Sequence, residues 1–127
     1  MLANSRVATM LPVSDLQRAR TFYEDTLGFK PMFESDELIG YGGGGDSGFA
    51  VYLSGGRADG SFTQLAFTVR DFDTEIADLR ERGITFEEYD MPGLKTVDGV
   101  ADLDGERTAW FKDPDGNTLA VGSDSQS

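Results

Sequence analysis

The chain has 127 residues, with 23 acidic residues against 11 basic ones for a net charge of −12, and it contains neither cysteine nor histidine. One ordinary domain of this size buries enough surface to fold without staples, and the missing residues exclude disulfides, thiolate zinc sites, cysteine nucleophiles and serine–histidine machinery. The acidic surface repels phosphate backbones and anionic lipid, which argues against nucleic acid and membrane as partners.

No apolar run approaches the roughly 20 residues of a membrane span, and the opening "MLANSRVATM" lacks the basic flank and apolar core of a signal peptide. A cytoplasmic protein is the expectation.

From Arg6 to Val13 two sets of alternating residues mark a strand with distinct faces. Ser14, three residues before Gln17, reads as a capping box that opens a helix. The helix carries Leu16, Ala19, Phe22, Tyr23 and Leu27 on one stripe and ends on Gly28. Three short strands follow at 29–33, 37–41 and 48–53. The glycine run "GGGGDSG" turns the chain between the last two, since no Gly-Lys-Ser/Thr follows to make a phosphate cradle. Residues 54–61, "SGGRADGS", form a polar connector.

The order then repeats. A strand over 62–69 leads into a helix over 71–82, with Phe72, Ile76 and Leu79 on one face and Gly83 as its cap. Val13, Asp15 and Leu16 recur as Val69, Asp71 and Phe72 at a spacing of 56, and Gly28 and Phe29 recur as Gly83 and Ile84 at 55. A spacing held through strand, helix and cap points to two copies of a strand–helix–three-strand module, about 6–54 and 62–122. Strands are expected over 84–89, 107–112 and 117–121, the last two joined by "DPDGN" as a tight turn. Residues 90–106 read as a long irregular loop, either a lid or a plain exposed loop, and residues 122–127 as a frayed tail.

If Val7, Leu11, Leu65 and Phe67 pack beneath the helices, then Ala8, Met10, Gln64 and Ala66 face away from them. By alternation from Phe111, Trp110 faces the same way, and Tyr41 and Tyr89 are further aromatic candidates for a ligand. Flat rings on an acidic protein suit an aromatic or cationic small molecule.

The stretches "PVSDLQRARTFYEDTLGF", "FTVRDFDTEIADLRERGI" and "AWFKDPDGNTLAV" resemble, in that order and spacing, the vicinal oxygen chelate superfamily of glyoxalase I, bleomycin-resistance proteins and extradiol dioxygenases. The resemblance spans about residues 6–121. It implies an α+β fold, two βαβββ modules forming a U-shaped mixed sheet around a pocket, with helices outside. The family's enzymes hold a divalent metal on first and last strands of each module. Those positions fall here on Ala8, Tyr52, Gln64 and Ala120. Two methyl groups, a phenol and one neutral amide supply too few donors for such an ion. No metal and no other cofactor is therefore expected. Glu87 or Glu88 rebuilding a metal site is the opposing case.

The resulting expectation is a metal-free protein that captures a small organic molecule as a homodimer, with antibiotic resistance as one possible role. The pocket candidates are Ala8, Met10, Tyr41, Tyr52, Gln64, Ala66, Tyr89, Trp110 and Ala120. An enzyme that uses Tyr52 or Glu87 as proton carrier is the alternative, and an accessory or regulatory binding protein is a second.

Overall fold

In the computed structural model, which describes residues 1–5, 7–103 and 105–124, two aspartates that match in sequence do the same work. Asp15 caps α1 (Leu16–Arg20) by accepting from the Arg18 N–H, and Asp71 caps α2 (Phe72–Glu81) by accepting from the Thr74 N–H. Each satisfies one of the N–H groups that a helix start leaves without a partner. Asp15 therefore replaces the expected Ser14 as the cap; the Ser14 hydroxyl accepts instead from Arg18 Nη2.

The chain divides into two compact units, Met1–Arg57 and Ala58–Ser127. The first contains β1 (Thr9–Val13), α1, β2 (Pro31–Glu34), β3 (Leu38–Gly42) and β4 (Gly48–Leu53). Its sheet runs β1-β4-β3-β2, with β1 parallel to β4 and the other pairs antiparallel. Leu11, Val13, Ile39, Tyr41, Phe49 and Val51 are buried with Ala19 and Tyr23 of the helical segment. Aromatic rings dominate this core: Tyr23 stacks on Tyr41 at 5.8 Å, and Phe49 lies 5.5 Å from Tyr41.

Beyond Arg20 the helix widens into a π-helical turn, Thr21–Thr26, with Leu27 N–H donating to Phe22 O five residues back. The wider turn brings fully buried Tyr23 and then Glu24, which accepts the Tyr41 hydroxyl, to the sheet side in succession. Gly28 ends the segment at φ 86°. Val7, expected beneath the helix, precedes the strand and is 91% exposed.

The second unit contains β5 (Thr63–Val69), α2, β6 (Asp90–Met91), β7 (Leu94–Val97), β8 (Val100–Leu103), β9 (Glu106–Lys112) and β10 (Thr118–Ser123). They form a sheet in the order β5-β10-β9-β8-β7-β6, with β5 parallel to β10. Phe72 and Ile76 of α2 are buried, as are Phe86, Phe111, Leu119 and Val121. The Phe86 and Phe111 rings meet edge to face at 5.9 Å. The "DPDGN" turn is tied by buried Asp113, whose Oδ1 accepts from the Asp115 and Asn117 N–H groups while Oδ2 accepts from Asn117 Nδ2.

Two expectations for this unit are corrected. Residues 84–89 are not a regular strand; Ile84 and Phe86 are buried, but the segment joins the sheet only through single bonds such as Glu87 N–H to Trp110 O. Residues 90–106 are not an irregular loop, because β6, β7 and β8 lie within them. Asp98 at φ 53° and Gly99 at φ 78° turn β7 into β8, the pair of positive φ values that a two-residue hairpin needs. Of the tail, residues 125–127 lie outside the described residues. Among the described residues no helix is long and apolar enough to cross a membrane.

Candidate functional site

In the second unit α2 lies on the face that carries Phe111, Leu119 and Val121, so β9 and β10 turn Trp110 and Ala120 to the other face. Ala120 pairs with Trp110 on one side and with Ala66 on the other. Two small residues thus lie in a row on one side of the large ring, so neither alanine covers the indole. Tyr89 meets Trp110 edge to face at 5.5 Å, and Trp110 Nε1 donates to Thr63 Oγ1 at 3.0 Å. Trp110 and Tyr89 are each half-buried, Ala66 is exposed and Ala120 is buried. The structure thus brings Trp110, Tyr89, Ala66 and Ala120 together on the face away from α2.

Gln64 stands at an irregularity in the same face. Thr118 pairs with Thr63 and Leu119 with Leu65, so Gln64 is the extra residue of a bulge in β5. A bulge re-aims side chains, and here it places Thr63 within reach of Trp110. Strict alternation from Leu65 would put Thr63 on the helix side, and no signal in the sequence marks the shift. The Gln64 side-chain oxygen is buried without a hydrogen-bond partner among the described residues. A buried acceptor in that state costs about 1–3 kcal/mol.

Both carboxylates considered as metal ligands or proton carriers have structural partners. Glu87 Oε1 lies 3.4 Å from Lys112 Nζ, and Lys112 also donates to Gly60 O and Thr118 Oγ1. Glu88 Oε1 accepts from the Thr96 hydroxyl at 2.9 Å and from the Gly99 N–H, so it braces the β7–β8 hairpin. Lys112, two residues from Trp110 in β9, places a cation on this face and was not singled out from the sequence.

In the first unit the face away from α1 carries Met10 and Tyr52, with Ala8 exposed just before β1. Tyr41 differs from the expectation: in β3 it shares its face with Ile39, and its ring lies in the helix-side core against Tyr23 and Phe49. Burial first, then the hydrogen bond to Glu24 and the charge of that carboxylate, hold its hydroxyl protonated well above the ordinary tyrosine range.

The inherited metal positions do not fit a divalent cation. Ala8 and Ala120 have no donor atom. Tyr52 pairs with Pro12 whereas Phe49 pairs with Thr9, so Tyr52 stands three residue steps, about 10 Å, along the sheet from the partner of Thr9. Gln64 alone offers a single neutral amide, and a catalytic ion needs several protein ligands. Among the described residues no group of three or more histidine, cysteine, aspartate or glutamate side chains is placed to hold a metal.

Two sheets that each join first and last strands in parallel, with a helix on one face and a donor-poor other face, define an α+β protein of the glyoxalase and bleomycin-resistance fold. Residues 6–121 match the Glyoxalase/Bleomycin resistance protein/Dioxygenase superfamily, and the chain belongs to it. A member of that superfamily from Sphaerobacter thermophilus DSM 20745 is 29% identical, with a TM-score of 0.72 over 97% of this chain and 100% of that one. TnmS3, an antibiotic binding protein from Streptomyces sp. CB03234, is 24% identical, with a TM-score of 0.67 over 96% of this chain and 98% of its own. The oxidase ChaP-H2 is 25% identical, with a TM-score of 0.69 over 95% and 94%. No curated protein matches the chain.

Proposed function

We propose that the chain is a small-molecule-binding protein of the glyoxalase and bleomycin-resistance type, and that it captures an organic ligand without a metal. The observation that carries this reading is the Gln64 oxygen, a buried acceptor without a donor among the described residues, one position along β5 from the Thr63 that holds the half-buried indole of Trp110. A ligand N–H or O–H that reaches it recovers the cost of burial, while an apolar ligand body covers Trp110, Tyr89 and the two alanines. The net charge of −12 favours cationic ligands over anionic ones. TnmS3, which shares the fold, is an antibiotic binding protein, so binding of a small organic molecule is a role that this fold serves. The enzymatic alternative is less well supported, since the carboxylate of Glu87 is engaged in an ion pair with Lys112.

The test uses the only tryptophan. Protein stripped with EDTA is titrated with a panel of neutral and cationic aromatic compounds while Trp110 emission is followed. The proposal expects a saturable change with at least one compound and no effect of restoring Mn²⁺, Ni²⁺ or Zn²⁺. Binding that disappears on metal removal and returns with metal overturns it.

A further inference from the structure

Tyr89 stands against Trp110 although no regular strand carries it there. Residues 84–89 are irregular, and β6 begins only at Asp90. What fixes Tyr89 is one residue of β7. The Thr96 N–H donates to Tyr89 O at 2.9 Å, and the Thr96 hydroxyl accepts from the Tyr89 N–H at 2.8 Å, so both backbone groups of Tyr89 are satisfied by the same threonine. In a regular antiparallel pair the carbonyl of the facing residue, not its side chain, receives that N–H. A hydroxyl in place of a carbonyl makes the pairing depend on which residue stands at position 96. An apolar side chain there leaves the Tyr89 N–H without its acceptor.

A hydroxyl has one proton and a choice of where to point it. Glu88 Oε1 lies 2.9 Å from Thr96 Oγ1 and Tyr89 O lies 3.3 Å away, and the nearer, charged acceptor takes the proton. A lone pair is thereby left for the Tyr89 N–H. The same Glu88 oxygen accepts from the Gly99 N–H at the tip of the β7–β8 hairpin, so the carboxylate is itself held in place. Thr96 is only 7% exposed, which keeps water from standing in for its hydroxyl.

The consequence reaches the indole. Thr63 holds Trp110 at its ring nitrogen, and the Tyr89 ring meets the indole edge to face, with 5.5 Å between centroids and 82° between planes. We infer that Thr96, oriented by Glu88, is the positioning residue of this site: it seats the Tyr89 ring against Trp110, and so sets how much of the indole is open to a ligand. It acts through Tyr89. The inference rests on the reading of the Trp110 face as a small-molecule site, but the seating of Tyr89 is a property of the chain alone and is measured without a ligand.

Collisional quenching of the only tryptophan by acrylamide reads that opening. Tyr89→Ala uncovers the indole and sets the upper limit of quenching. Thr96→Val keeps the shape of the side chain and removes the hydroxyl. Losing one buried hydrogen bond shifts the balance between a seated and a displaced Tyr89 ring about fivefold toward the displaced one, so the quenching constant should rise toward that limit. Thr96→Ser keeps the hydroxyl and should quench as the wild type does. Asp71→Ala, which removes the cap of α2 and none of these groups, should also quench as the wild type, so lost stability alone does not imitate the effect. In the Tyr89→Ala background Thr96→Val should add nothing. Thr96→Ala carries the same test where the valine variant does not fold. Wild-type quenching in Tyr89→Ala or in the hydroxyl-free variant overturns the inference, as does a serine variant that fails to recover it or an effect that persists without the Tyr89 ring. The expected quenching pattern, with no compound of the panel changing Trp110 emission, would retain Thr96 as the positioning residue and reject the proposed function. Saturable binding with uniform quenching across the variants would do the reverse.

Discussion

The Tyr41 hydroxyl donates to Glu24 Oε2 at 2.9 Å, and the same oxygen receives Arg20 Nη1 at 2.9 Å, while Arg20 Nη2 reaches Glu34 at 2.9 Å. One carboxylate thus ties the π-helical turn to β3 and, through Arg20, to the edge strand β2. Tyr41→Phe removes a hydrogen bond to a charged acceptor in the core. The expected loss is about 1–2 kcal/mol, because Arg20 still serves Glu24. The sign of the pH dependence follows from the raised Tyr41 pKa. The folded chain keeps the proton past the point, near pH 10, where an unfolded tyrosine loses it. The stabilisation is therefore complete below about pH 10 and declines as pH rises further. Urea unfolding at pH 8 and pH 10.5 should show the gap between wild type and Tyr41→Phe narrowing at the higher pH; a constant gap contradicts the assignment.

Asp15 and Asp71 should each matter more than the serine beside the first of them. Asp15→Ala and Asp71→Ala remove a side-chain acceptor from a helix start and are expected to cost about 1 kcal/mol each. Ser14→Ala should cost less, since its hydroxyl meets Arg18 Nη2 at the surface while Asp15 is the residue that caps the helix. Thermal unfolding of the three single variants gives the ranking. Ser14→Ala as the most damaging of them would restore the capping box as the true start.

How far the sequence was legible shows in these same residues. The recurrence of Val, Asp and a large apolar residue at a spacing of 56 located both helices, because a helix start on a sheet needs an acceptor and an apolar anchor at fixed offsets. The cap was misplaced by one residue, since Ser14 and Asp15 are equally able to accept and only φ and ψ choose between them. The core face of β3 was legible too, because Ile39 and Tyr41 share parity, yet an aromatic with a polar edge was read as a ligand contact. The bulge at Gln64 was not legible. A register shift is decided by pairing with β10, about 55 residues away in sequence, and leaves no local trace.

The hairpin at 94–103 was legible and was overlooked. "VDGV" is a strong short-range hairpin signal, and it lies between two other turn signals of the sequence, "MPGL" and "LDGE". Gly99→Ala forces a Cβ to 2.8 Å from the Phe86 Cβ at a φ of 78°, and should cost about 2–3 kcal/mol. Asp98→Asn should be nearly neutral, as asparagine tolerates positive φ. Hydrogen exchange gives a second readout: the Thr96 N–H, bonded to Tyr89 O, should exchange slowly. Rapid exchange along the whole of 94–103 would return this segment to the loop it was first taken for.

Gln64 gives the prediction that separates a binding residue from a structural one. A glutamine that only braces the fold makes hydrogen bonds, so its replacement by an apolar residue of similar length destabilises. Here the side-chain oxygen has no partner in its buried position, and Gln64→Leu removes the desolvated acceptor while keeping much of the side chain's bulk. The variant should match the wild type in stability or exceed it by up to about 1 kcal/mol. Any compound that changes Trp110 emission in the wild type and carries an N–H or O–H donor should bind Gln64→Leu at least about tenfold more weakly, since one buried hydrogen bond is worth roughly that factor. An analogue in which the donor is methylated should bind both proteins alike, so the pair of ligands and the pair of proteins form a double-mutant cycle. Loss of stability with unchanged affinity would make Gln64 a structural residue and leave Trp110 without the polar partner that the proposed function gives it.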